Sequence, residues 1–161
     1  EVKAKFQNKN FIPDANATLR LTYGYVRGYE PEDAVYQKPF TTLKGEIEKG
    51  TSTGDYEIFP AVKQLYSERN FGKYISPQLN DVPLCLLYNL DTTGGNSGSP
   101  IMNANGELIG VNFDRAFSAT INDFVWNEKY SRSIAVDIRY VLWILEKVGK
   151  ADNVLNEIGV K

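Results

Sequence analysis

Ser97 stands in a glycine-rich stretch, "GGNSGSP", that could present a nucleophilic hydroxyl. Because glycines adopt backbone angles that other residues resist, the amides of Gly95 and Ser97 could point at one spot. A serine on such a turn, with amide donors for a developing oxyanion, has two of the three parts that acyl transfer needs. The third part is a base, and the chain contains no histidine. The residues therefore predict a nucleophile and an oxyanion hole without an evident base.

Asp114 and Arg115 form a second candidate group, in "GVNFDRAF" downstream of the serine. An arginine guanidinium is a planar, permanently charged donor that suits a carboxylate. The aspartate before it could bind an ammonium group. A surface Asp–Arg pair beyond a strand end would have the same local sequence, so these two residues alone leave both interpretations open.

The elements before the serine loop are predicted from hydrophobic periodicity. Residues 19–25 alternate apolar and polar side chains in "LRLTYGY", which indicates a strand with one buried face. A short strand is predicted at 40–48. A helix follows, with Pro60 in its first turn and a C-terminal end near Gly72. The apolar run "DVPLCLLYNL" predicts a buried strand that leads into the serine loop.

After the loop, two strands are predicted about a turn at Asn103–Gly106, because Asn-Gly is a strong turn dipeptide. The stretch "SRSIAVD" predicts a final strand. Asp137 is predicted to cap a closing helix that ends at Gly149. Its apolar face would consist of Ile138, Val141, Leu142, Leu145 and Val148.

Length and composition favour a single folded domain with a hydrophobic core. Strands joined by short turns, with a helix at the end, predict a mostly antiparallel β domain over 17–161, preceded by a tail over 1–16. A net charge of −2 gives no electrostatic case for binding nucleic acid or an anionic membrane, and no apolar run is long enough for a membrane-spanning helix. The lone cysteine, Cys85, is predicted to be a buried, unreactive thiol. The polar opening suggests a chain cut from a longer one.

The serine loop resembles the nucleophile loop of the chymotrypsin-like peptidases, whose usual form is G-D-S-G-G-P. Asn96 replaces the acidic residue of that pattern, so activation by insertion of a new N-terminus is not expected. Ser99 replaces a glycine. Together with "FDR" and the closing "SRSIAVDIRYVLWILEKV", the loop resembles the C-terminal part of the bacterial dipeptidyl-peptidase 7 and 11 family.

This resemblance implies a fold and a role for each candidate residue. The fold would be a chymotrypsin-like (trypsin-like) antiparallel β-barrel, the second barrel of a two-barrel peptidase, with a C-terminal α-helix. Ser97 would be the nucleophile, and the Gly95 and Ser97 amides would form the oxyanion hole. Asp114 would hold the substrate's α-ammonium. Arg115 would select Asp or Glu at P1, the second residue of the released dipeptide.

The resemblance also implies the partners and the missing base. Substrates would be peptides with a free N-terminus and an acidic second residue; neither a metal nor a cofactor is implied. The full-length enzyme would be a homodimer in the periplasm or at the surface of a Gram-negative bacterium. The catalytic His and Asp would lie upstream, so the chain alone would be inactive. Two alternatives remain: a non-catalytic chymotrypsin-like binding module, and part of a glutamyl endopeptidase that tolerates blocked N-termini.

Overall fold

The computed structural model describes residues 19–160, which form seven strands and four short helices. The strands are β1 Tyr29–Glu32, β2 Val35–Gln37, β3 Phe40–Thr42, β4 Pro83–Tyr88, β5 Pro100–Met102, β6 Leu108–Arg115 and β7 Ser133–Asp137. The helices are α1 Leu43–Lys49, α2 Pro60–Ser67, α3 Ile138–Trp143 and α4 Asp152–Glu157. Two 3₁₀ turns lie at Gly72–Tyr74 and Phe117–Asp123, and a π turn at Ile144–Val148 continues α3.

Five strands make one antiparallel sheet in the order β3-β4-β7-β6-β5, and β1 and β2 form a separate hairpin. The predicted β4, β7 and the β5–β6 hairpin are confirmed, and so is the mostly β architecture with a helix after the last strand. The sheet does not close on itself within residues 19–160, since β3 and β5 are its two edges. The barrel closure that the fold class implies is therefore not made by this part of the chain.

The strand predicted over 19–25 is wrong. These residues form no strand, and the side chains that should have been buried are exposed, from 100% for Leu19 to 74% for Tyr25. Backbone pairing begins at Tyr25, whose carbonyl accepts from the amide of Asn89 at 3.1 Å, and at Val26, which bridges to Tyr88. An alternating pattern makes a buried face only where another layer covers it. The boundary predicted at residues 16 and 17 lies outside the described residues.

The strand predicted over 40–48 is half wrong, because it ends at Thr42 and α1 begins at Leu43. Leu43 and Ile47 are four residues apart and face the same core, with Leu43 fully buried. The carboxylate of Asp81 accepts from the amide of Lys44 at 2.9 Å and so satisfies a donor of the first turn from a distant part of the chain.

Helix α2 starts as predicted, with Pro60 at its first position, but it ends earlier than Gly72. Arg69 takes the left-handed conformation at φ 51°, and the amide of Asn70 donates to the carbonyl of Leu65 at 2.9 Å. This is the Schellman arrangement with a non-glycine residue in the position that usually favours glycine.

The closing helix begins as predicted, because Asp137 accepts from the amide of Arg139 at 2.9 Å. Its predicted apolar face is incomplete, since the fully buried residue of α3 is Trp143. Trp143 packs in the main core with residues of α1 and α2, and its indole donates to the carbonyl of Asn70 at 3.0 Å. This core is formed where α1, α2 and α3 pack together. A smaller cluster of Leu86, Tyr88 and Ala135 lies within the sheet, nearer to the serine loop.

Cys85 is half-buried in β4 rather than fully buried. Burial raises the pKa of its thiol, while a hydrogen bond with Thr41 lowers it by less. A raised pKa reduces the thiolate fraction, so the predicted low reactivity agrees with the structure. No helix within residues 19–160 is long and apolar enough to cross a membrane.

Candidate active site

The serine loop joins β4 to β5 and consists of two successive turns. The amide of Asn96 donates to the carbonyl of Thr93 at 3.1 Å, and the amide of Ser99 donates to the carbonyl of Asn96 at 3.0 Å. Gly95 and Gly98 have φ values of 96° and 88°, in the left-handed region where a side chain is strained. Because a glycine stands at each of these bends, the chain can expose Ser97 within the second turn.

Strand β6 holds this loop in place. The amide of Gly98 donates to the carbonyl of Asn112 at 2.8 Å, and the amide of Asn112 donates to the carbonyl of Ser99 at 2.9 Å. Asn112 is 3% exposed and lies in the middle of β6. The loop is therefore fixed against the sheet on the C-terminal side of the serine.

The hydroxyl of Ser97 donates to the carbonyl of Phe113 at 3.2 Å. Phe113 is the extra residue of a β-bulge, because Asn112 pairs with Ala135 and Asp114 pairs with the very next partner, Ile134. Bulges bend a strand and redirect its groups, and they are common beside active sites. This bulge brings the serine hydroxyl to the residue next to Asp114.

Three amides of the loop donate to no residue within 19–160, namely those of Gly94, Gly95 and Ser97. The amides of Asn96, Gly98 and Ser99, which lie between and after them, are all hydrogen-bonded. Gly95 and Ser97 are exposed, so their amides are open to an acceptor on a bound molecule. Two such donors beside an exposed serine are suited to an oxyanion.

Asp114 and Arg115 occupy the C-terminal end of β6, one and two residues beyond the carbonyl that Ser97 contacts. Asp114 is exposed, and its carboxylate accepts from the amide of Arg115 at 2.8 Å. Arg115 is half-buried and pairs in register with Ser133 of β7. The structure thus brings all four sequence-predicted site residues to the same end of β6, with the Ser97 hydroxyl against the backbone of Phe113 and the two charged residues directly after it in sequence.

The site lacks a proton acceptor for the serine within the described part of the chain, since the partner of the hydroxyl is a backbone carbonyl. Nor do residues 19–160 contain a group of three or more His, Cys, Asp or Glu residues that could hold a metal ion. The arrangement supplies a nucleophile, two amide donors and a charged pair. It can complete acyl transfer only with a base from elsewhere.

Sequence reasoning missed two residues that support the loop, Asn112 and Tyr88. The hydroxyl of Tyr88 donates to Oδ1 of Asn112, and Nδ2 of Asn112 donates to the carbonyl of Asn96 at 3.0 Å. One signal was visible: in "LIGVNF" an asparagine takes a position where the apolar pattern of the strand calls for a buried side chain.

Comparison with known proteins also indicates a peptidase. The model of the family described as Peptidase S46 matches residues 1–160. Dipeptidyl-peptidase 7 of Phocaeicola vulgatus is 47% identical over 149 residues, which are 92% of this chain and 20% of that protein. The Asp/Glu-specific dipeptidyl-peptidase of Porphyromonas gingivalis is 46% identical over 150 residues, which are 92% of this chain and 21% of that protein. The chain spans about a fifth of the length of these curated relatives.

The fold also matches a solved structure. The crystal structure of Porphyromonas endodontalis DPP11 in complex with the dipeptide Arg-Glu superposes with a TM-score of 0.89 and 40% sequence identity. The match covers 97% of this chain and 22% of that chain, where it corresponds to a C-terminal portion. The structure of the same enzyme with Arg-Asp gives a TM-score of 0.89 at 41% identity.

Proposed function

Because this chain belongs to the peptidase S46 family, we propose that its parent is a serine dipeptidyl peptidase that releases N-terminal dipeptides ending in Asp or Glu. One observation carries the proposal: the exposed Ser97 hydroxyl lies 3.2 Å from the carbonyl of Phe113, directly before the Asp114–Arg115 pair. The end of β6 thus holds the nucleophile against its backbone and continues into an acidic and a basic residue. These are the groups that an acidic dipeptide at the N-terminus of a peptide requires.

Ser97 is the proposed nucleophile. Its Oγ attacks the carbonyl carbon of the second residue, and the Gly95 and Ser97 amides stabilise the oxyanion. The C–N bond then breaks and the shortened peptide leaves as an amine, which takes the proton that the base removed from Ser97. A water molecule then gives a proton to the base and attacks the Ser97 ester, and the ester C–O bond breaks to free the dipeptide and restore the Ser97 hydroxyl. We place that base and its orienting carboxylate in a part of the parent outside this chain. The absence of histidine here and the one-fifth coverage of the relatives support this placement.

Arg115 is the residue proposed to bind the acidic side chain of the substrate's second residue. Overall similarity does not choose between specificities, because a relative named dipeptidyl-peptidase 7 and one named Asp/Glu-specific are 47% and 46% identical. Arg115 favours the acidic specificity, because a substrate carboxylate that leaves water for a pocket needs a counter-charge. A half-buried guanidinium at the end of β6 can provide it through paired hydrogen bonds.

Asp114 is the proposed anchor for the free α-ammonium, which predicts that a blocked N-terminus prevents cleavage. In the full-length parent, N-acetyl-Leu-Asp should be cleaved about 30- to 1000-fold less efficiently than Leu-Asp, as expected from loss of one charge-assisted contact. Fluorophore release from both conjugates measures this ratio. Asp114→Asn should lower the ratio towards one, whereas Glu107→Gln, just before the opposite end of β6, should leave it unchanged. Equal cleavage of both substrates by the wild type would instead indicate a glutamyl endopeptidase.

The isolated 161-residue chain is predicted to have no Ser97-dependent peptidase activity. Three aromatic side chains close to the site in sequence are exposed, with Phe113 at 47%, Phe117 at 92% and Phe124 at 85%. Exposed aromatic side chains are suited to contact with another protein surface. This supports a cleft that needs the rest of the parent. Fluorophore release from Leu-Asp by the isolated chain, compared with its Ser97→Ala variant, tests the prediction; an inactive full-length parent would favour a binding module.

We further propose that the parent acts as a homodimer in the periplasm or at the surface of a Gram-negative bacterium. The family resemblance of the serine loop and of the closing strand and helix supports both points. Fractionation of the native host and sedimentation of the purified full-length protein test them separately.

A further inference from the structure

We propose that Asn112, itself held by Tyr88, is a positioning residue that aims the oxyanion-binding amide of Ser97. The inference rests on the proposed function, because it assigns a role within the same serine site. It concerns side chains that touch neither substrate nor the reacting atoms.

The side chain of Asn112 is hydrogen-bonded to the serine loop. Nδ2 of Asn112 donates to the carbonyl of Asn96 at 3.0 Å. The peptide bond between Asn96 and Ser97 is planar, so its carbonyl and its amide point in opposite directions. The hydrogen bond from Asn112 therefore adds a restraint on the direction of the Ser97 amide on the other side of the loop.

The orientation of the Asn112 side chain is set by its two partners. The Asn96 carbonyl can only accept, so the nitrogen of the Asn112 amide must face it and the oxygen must face Tyr88. The hydroxyl of Tyr88 donates to that oxygen, and burial raises the pKa of Tyr88, which keeps the phenol protonated. Tyr88 is 1% exposed and Asn112 is 3% exposed, so water does not compete for these bonds.

The bonds made by Asn112 and Tyr88 are not needed to give the Asn96 carbonyl a hydrogen-bond donor. The Asn96 carbonyl also accepts from the amide of Ser99 at 3.0 Å. Removing the Asn112 carboxamide and the Tyr88 hydroxyl together would therefore leave no buried polar group without a partner, but the Asn96 carbonyl would be held by one bond instead of two. The pair can be replaced by apolar side chains of similar shape, which separates a positioning role from a structural one.

The experiment compares the full-length wild type with the double variant Tyr88→Phe/Asn112→Leu. The kcat for Leu-Asp conjugates should fall about 10- to 100-fold, less than removal of a whole oxyanion donor costs. KM and the inhibition constant of the product dipeptide Arg-Asp should change less than about twofold, because product binding does not use the oxyanion hole. A boronic acid analogue of Leu-Asp, which forms a tetrahedral adduct with serine, should lose affinity in parallel with kcat.

Two outcomes overturn the inference. One is a double variant with the kcat of the wild type; the other is a kcat and a product inhibition constant that worsen equally, which indicates general distortion. Ser97→Ala is measured alongside. If it abolishes activity while the double variant keeps it, only the present inference fails; if Ser97→Ala keeps wild-type activity, the proposed function fails first.

A second variant covers the case in which the double variant does not fold. Asn112→Asp keeps the acceptor for Tyr88 but sets a carboxyl against the Asn96 carbonyl. When neutral, this carboxyl can donate as the amide does, and when ionised it cannot. The kcat ratio of variant to wild type should therefore rise as the pH falls. A ratio that stays constant with pH contradicts the proposal.

Discussion

Ser97→Ala in the full-length parent should lower kcat/KM for Leu-Asp conjugates by about 10⁴- to 10⁶-fold, the range seen when a serine nucleophile is removed. The expected loss is large because no other described group can take its place. The next serine in the loop, Ser99, has its amide and its carbonyl engaged in hydrogen bonds. Cys85 is half-buried in a strand, with a raised thiol pKa.

The measurement is steady-state release of the fluorophore by wild type and variant. Ser67→Ala provides the matched control, since Ser67 is exposed on α2 and its hydroxyl donates to the carbonyl of Gln64 at 2.7 Å, within its own helix. That variant should retain wild-type kcat/KM. A Ser97→Ala enzyme within tenfold of the wild type would show that another residue is the nucleophile.

Arg115→Gly should lower kcat/KM for Leu-Asp by about 30- to 1000-fold and leave Leu-Leu within a few fold. The physical reason is selective, because only the acidic substrate loses a counter-charge when it enters the pocket. Arg115→Lys keeps the charge but not the planar pair of donors, so its loss should be intermediate.

The two substrates serve as each other's control. Arg115 also interacts within the chain, so a purely structural role is a real alternative. A structural defect would lower the cleavage of Leu-Asp and Leu-Leu alike. Equal losses for the two substrates would therefore contradict the assignment of Arg115 to the acidic side chain, whereas a change in their ratio supports it.

Local sequence was sufficient for the parts of the site that short-range chemistry determines. The Asn105-Gly106 turn placed the β5–β6 hairpin, and the amide of Gly106 donates to the carbonyl of Asn103 as expected. Asp137 caps α3 because its carboxylate reaches an amide two residues away. Glycines around Ser97 predicted a bent loop, and the positive φ values of Gly95 and Gly98 agree.

Other features depend on contacts between residues far apart, which periodicity does not encode. The bulge at Phe113 is defined by its register against β7, and the bond between Tyr88 and Asn112 joins two strands that are not neighbours in the sheet. Leu43 begins a helix because Asp81 accepts from the first turn. The alternation over 19–25 gave a wrong prediction because no layer of the described chain covers its apolar side chains.

The most direct test of the account is to label the full-length parent with a Leu-Asp diphenyl phosphonate and map the adduct by mass spectrometry. The Ser97 oxygen would attack phosphorus and displace phenoxide, which leaves a stable covalent bond. The account predicts an adduct on the peptide that contains Ser97, formed much faster than with the Leu-Leu phosphonate, and the loss of that difference in Arg115→Gly. An adduct on another residue, or equal rates for both phosphonates in the wild type, would contradict it.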